Sequence, residues 1–134
     1  MSKITWTPEQ QAEHRKLWVE ALRSGKYQQA VDDLRDRTGA MCCLGVACEI
    51  SGLGRWDGCS YVTEGDRHRG ELNPDSDMTN WLGLRSGAGA FGPSETGRES
   101  LAHLNDSGKT FAEIADIIES EPVGLIASAD GADE

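Results

Sequence analysis

The chain has 134 residues, a length that fits one domain with room for a real core. Its 13 Lys and Arg against 23 Asp and Glu give a formal charge of −10, a field that opposes docking on DNA, RNA or an anionic membrane. An apolar fraction of 37% with 16 glycines predicts a modest core and much irregular loop.

The charge is uneven. Residues 1–40 are nearly balanced, whereas residues 41–134 hold 6 basic and 17 acidic side chains. No apolar run approaches the roughly 20 residues needed to cross a bilayer. The first residues lack the apolar stretch of a secretory signal. Cys42, Cys43, Cys48 and Cys59 form a poor disulfide framework, since two are adjacent and three fall in one apolar run. They suit a reducing cytoplasm.

In chain order, Thr7, Pro8 and Gln10 signal a capped helix over 8–23. His14, Leu17, Trp18, Ala21 and Leu22 are expected on its apolar face, and Gly25 at its end. Residues 27–36 read as a helix, with Tyr27, Ala30, Val31 and Leu34 as a stripe. The alternative is a short hairpin turning at Asp36–Gly39 and pairing with Met41–Cys43. Cys42–Ser51 reads as a buried helix ended by Gly52, although a central strand has the same pattern.

Residues 53–72 show no period and are expected as a long loop anchored by Trp56 and Tyr61. Asn73 and Pro74 are expected to start a helix bearing Met78, Trp81 and Leu82, which Gly83 stops. A second glycine-rich loop, 85–97, precedes a short helix at 98–104 and a turn at Asn105–Gly108. Thr110 and Glu113 form a capping box for a last helix with Phe111, Ile114, Ala115 and Ile118 inward. The fold class expected is mainly α, a single domain over 4–125 made of short helices and long glycine-rich loops. The alternative is α+β with the hairpin around 28–43. Residues 126–134 read as an acidic disordered tail.

Four groups of residues carry possible chemistry. The cysteines and His68 are zinc-type ligands, but no pair has the spacing of a structural zinc site, so they read as core and no metal is expected. A nucleophilic Cys43 or Cys42 would need a base, and His14, His68 and His103 fall in no recognisable signature. The loop RSGAGAFG lacks the ending of a phosphate loop, and Arg85 and Arg98 are its natural cations. Asn105 and Asp106 read as turn-forming and capping residues, with ligand binding as the alternative. Trp18 and Trp81 belong to apolar helix faces, while Trp56 and Tyr61 are candidate anchors for a partner.

The segments ALRSGKYQQ (21–29), CCLGVACE (42–49), NWLGL (80–84) and LNDSGKTFAEIADIIE (104–119) together resemble a family of uncharacterised small proteins, mostly phage-encoded and also found in bacterial genomes. The resemblance implies a viral or prophage accessory gene expressed in a bacterial cytoplasm, and it carries over no catalytic residue. The leading expectation is a non-catalytic protein that binds a host protein, needs no cofactor, and contacts neither nucleic acid nor membrane. Trp56, Tyr61, Asn105 and Asp106 are its first candidate residues. The alternatives are capture of a nucleotide-like small molecule by loop 86–92 with Arg85 and Arg98, and a cysteine-dependent enzyme.

Overall fold

A computed structural model describes residues 6–73, 76–92 and 99–127. The first helix, α1 (Pro8–Arg23), starts where the sequence places it. The Thr7 hydroxyl accepts from the Gln10 amide at 3.1 Å, and the Gln10 side chain accepts from the Thr7 amide at 2.9 Å. Its buried stripe is Arg15, Trp18, Val19 and Leu22, an i, i+3, i+4, i+7 set. This corrects the expected face: Leu17 is half exposed, and a charged residue takes the inward position.

Arg15 is turned inward because α1 caps another helix. The third helix, α3 (Asp77–Leu82), ends with Gly83 at φ 72°, leaving its last carbonyls without intrahelical donors. Three side chains of α1 supply them. Gln11 donates to Asn80 O at 2.7 Å, His14 Nδ1 to Trp81 O at 2.6 Å and Arg15 Nη1 to Leu82 O at 2.7 Å. The His14 ring also stacks on Trp81, 4.1 Å between centroids and 8° from parallel. A cation at the negative end of a helix is favourable in its own right.

The second helix, α2 (Cys43–Ser51), is buried nearly all round and ends at Gly52 in a left-handed turn, φ 68°. Gly45 is required there by packing. A β-carbon at that position would sit on the Leu34 carbonyl oxygen. Trp18, fully buried, donates its indole N–H to Cys43 O at 2.8 Å and ties α1 to α2.

Residues 27–42 are not the expected helix; of the hairpin alternative, the Asp36–Gly39 turn is present, flanked by one antiparallel bridge from Arg35 to Met41 and by the Cys42 amide donating to Leu34 O at 3.2 Å. Met41 bridges Gln29 in parallel and Arg35 in antiparallel fashion, and Ala30 donates to Met41 O at 2.9 Å. The segment is an irregular strap. The Asp36 carboxylate, which accepts from Thr38 and Ala40, forms its turn and is held below the usual carboxylate range by those donors.

The expected loop at 53–72 is instead an antiparallel meander of β1 (Arg55–Asp57), β2 (Ser60–Thr63) and β3 (Asp66–His68). Its two tight loops are Gly58-Cys59 and Glu64-Gly65, each with a glycine at positive φ, as two-residue hairpins demand. A two-stranded ribbon, β4 (Ala90–Phe91) with β5 (Glu99–Ser100), leads into α4 (Leu101–Asp106). The last helix, α5 (Phe111–Ser120), carries the expected capping box and packs along α1. The fold is therefore α+β, not mainly α. Its three-stranded sheet lies at 55–68 rather than around 28–43. The mainly α reading failed because the strands are three or four residues long, too short to show a sustained alternation.

Smaller corrections follow the caps. The α3 cap is Ser76 with Thr79, not Asn73, whose carbonyl accepts from Ser76 instead. The expected helix start at Pro74 lies outside the described residues. Asn105 and Asp106 end α4 rather than forming a free turn. Of the expected tail, Ile126 bridges Leu84 and Ala127 donates to Gly83 O, while 128–134 lie outside the described residues. No helix among the described residues is long and apolar enough to cross a membrane.

Candidate protein-binding surface

Asn105, a candidate from the sequence, is a structural knot. It is 1% exposed. Its side-chain oxygen accepts from the Cys43 amide at 3.1 Å and from Gln29 Nε2 at 2.8 Å, while its nitrogen donates to Ala30 O at 2.8 Å. Helix α2 has no side-chain cap of its own, so Asn105 satisfies its first amide from across the core. Asp106 accepts from the Asp32 amide at 2.9 Å, fixing a residue held at φ 71°. Together they pin the 29–41 strap onto α2 and α4. Asn105 is thereby removed from the surface that a partner would read, whereas Asp106 stays exposed with its carboxylate engaged by the Asp32 amide.

The cysteines divide by depth. Cys42, Cys43 and Cys48 are buried, and Cys59 is half exposed in the β1–β2 loop. Desolvation pushes the Cys42 thiol up to about 11 and those of Cys43 and Cys48 well above their ordinary value. A nucleophilic thiolate at Cys42 or Cys43 would have to form against that penalty. Among the described residues no three Cys, His, Asp or Glu side chains converge on a common point. Iodoacetamide is expected to modify Cys59 alone in the native protein and all four thiols after denaturation. Fast native labelling of the other three, read by mass spectrometry, would contradict the packing.

The glycine loop is no open cradle. Gly87 lies against Leu72 O and Gly89 against the Leu101 side chain, so these glycines permit close packing. Arg85 is exposed, and its backbone amide donates to Leu125 O. Arg98 lies outside the described residues.

The remaining candidates, Trp56 and Tyr61, meet in the meander. The register aligns Trp56, Tyr61 and His68 in one row and Arg55, Val62 and Arg67 in the next. Alternation therefore turns the first row inward and the second outward. Tyr61 is buried; its hydroxyl accepts from the Gly54 amide at 2.7 Å and lies 3.3 Å from Ser51 Oγ. It is a support rather than a contact residue. Trp56 is half buried, edge-on to Tyr61 at 5.0 Å. Its indole N–H donates to Glu49 at 2.8 Å, and the Arg35 guanidinium lies over its ring at 5.3 Å. Sequence reasoning missed Arg35, which only the strap's path brings to the sheet.

Beside this pair, Arg35, Asp36, Arg37, Gly58 and Cys59 line an open concavity of about 400 Å³. Arg67 faces outward, paired with Asp57 at 2.8 Å. Arg35, Arg37, Arg55, Arg67 and Arg69 thus bring five of the chain's 13 cations to the sheet and the strap beside it, in a protein whose charge is −10.

Beneath the sheet, His68 is fully buried. Its Nδ1 accepts from the Asn73 amide at 3.0 Å, so Nε2 carries the proton and points to Thr63 Oγ1 at 3.3 Å. Desolvation lowers its pKa, against the opposing pull of Asp66 and Asp77. The unfolded chain therefore takes up a proton that the folded one resists. Stability is expected to be flat above the ordinary histidine value of about 6.5 and to fall as pH drops below it. Urea unfolding at neutral pH and about one unit below the ordinary histidine value measures this, and His68→Gln should flatten the difference.

Residues 10–122 match the family described as Domain of unknown function (DUF8296). The match covers most of the chain, which therefore belongs to that family. No curated protein and no solved structure matches the chain.

Proposed function

We propose that the protein is a non-catalytic accessory protein that binds a host protein in a bacterial cytoplasm, through the sheet rim centred on Trp56 and Arg35. The reading rests chiefly on the preorganised Trp56–Arg35 stack. Trp56 is fixed by Tyr61 and Glu49, and the backbone of Arg35 is held by its bridge to Met41, so the indole loses little side-chain freedom on docking. Tryptophan and arginine are the residue types that most often dominate interface energetics. The surrounding arginines favour a carboxylate-bearing partner surface, with binding that weakens as salt rises. The placement in a phage-infected or prophage-bearing cell follows the resemblance of the CCLGVACE, NWLGL and LNDSGKTFAEIADIIE segments.

Affinity capture from bacterial lysate at physiological salt tests this reading. The wild-type chain should recover a discrete protein that is lost with Trp56→Ala and with Arg35→Glu, yet retained by Leu17→Ser on α1. Recovery that survives both rim substitutions would overturn it.

A further inference from the structure

We propose that the groove between α1 and α5 binds a small organic monoanion, a carboxylate on a short apolar body, with Arg15 as the anion-binding group. The groove, about 280 Å³, is lined by Arg15, Lys16, Val19, Arg23, Ile118 and Glu121 among others. It shares no lining residue with the Trp56 rim.

Arg15 forms its base and is under-compensated. Its side chain is 9% exposed. One N–H is spent on Leu82 O, whereas Nε is buried without a partner. Glu121 pairs with the guanidinium at long range, 3.7 Å from Nη2. Glu121 itself is 55% exposed and follows α5 at φ 50°, a conformation that a side-chain-bearing residue adopts at a cost. Burial accordingly outweighs Glu121 and pulls the guanidinium below its ordinary value. A buried guanidinium of this kind gains from a closer, well-aligned carboxylate.

The walls define the rest of the ligand. Val19 is 5% exposed and Ile118 1%, and they present an apolar surface next to the guanidinium. Arg23 is held by Asp116 at 2.6 Å and Glu119 at 2.9 Å, so it closes one side of the groove instead of binding. Glu20, Glu119 and Glu121 also line the groove. That field disfavours a dianion such as phosphate and leaves a monocarboxylate, with Lys16 at the rim as a second cation.

Titration of the full-length protein with hexanoate, followed by amide chemical shifts, tests the proposal; hexanol and inorganic phosphate serve as comparisons. Hexanoate should give saturable shifts centred on residues 12–23 and 118–121, and the comparison compounds should not. Arg15→Ala removes the Leu82 cap and endangers the fold, so Glu121→Gln is the decisive variant. It deletes the competing carboxylate at an exposed position and should tighten hexanoate by roughly threefold or more, the scale of one exposed ion pair. No saturable shift, an equal response to hexanol or phosphate, or an affinity unmoved by Glu121→Gln would each overturn the site.

Discussion

Replacing Asn105 by leucine is expected to cost about 3–5 kcal/mol, a third or more of the stability of an ordinary small domain. Leucine fills the volume but leaves the Cys43 amide and Ala30 carbonyl buried and unpaired, at roughly 1–3 kcal/mol each. It also frees Gln29, which otherwise bridges Asn105 and Lys109 O at 2.7 Å. Urea unfolding reads the loss. Asn105→Asp separates the hydrogen-bonding account from simple packing, since it preserves shape and the acceptor for Cys43. A carboxylate buried beside Asp106 would have its pKa raised, and once protonated it regains a donor for Ala30 O. The destabilisation by Asn105→Asp should therefore shrink as the solution is acidified through the raised value. A loss below about 1 kcal/mol for leucine would show that Asn105 is not the knot.

Gly45→Ala is the second large effect, and its sign distinguishes two physical terms. Helix propensity alone favours alanine in α2 by about 1 kcal/mol. Packing opposes it, because the new methyl would sit on the Leu34 carbonyl oxygen, a backbone atom tied down by the Cys42 amide at 3.2 Å. Relief requires the strap to lift off α2, and the expected net cost is about 3 kcal/mol or more. A stabilised Gly45→Ala variant would mean that the strap does not lie where the structure puts it.

These two positions also show what the sequence could and could not reveal. Local chemistry was legible. The capping boxes at Thr7 and Thr110, the left-handed glycines at 52 and 83 and the apolar stripe of α5 are encoded within four residues of one another. Relations across the chain were not. Nothing near Arg15 signals that it turns inward, because the reason lies at the end of α3, 67 residues away. Asn105 was legible as a turn-forming and capping residue, but the groups it bonds lie 62 to 76 residues earlier. The meander was readable in part. Gly58 and Gly65, seven residues apart, mark breaks in the segment, yet Gly58-Cys59 and Glu64-Gly65 are not the commonest hairpin-turn dipeptides and the short strands between them gave no period. Of the candidate residues, Trp56 keeps the surface role proposed here. Tyr61 and Asn105 are buried supports, Asp106 is exposed but engaged by the Asp32 amide, and Arg35 enters only through the fold.

The working face is tested most directly by replacing Trp56 with a photo-crosslinking phenylalanine analogue in the bacterial cell, with the same analogue at Leu17 as the control. The account predicts one discrete protein adduct from position 56 and none from position 17. An adduct from position 17 without one from position 56 would contradict it.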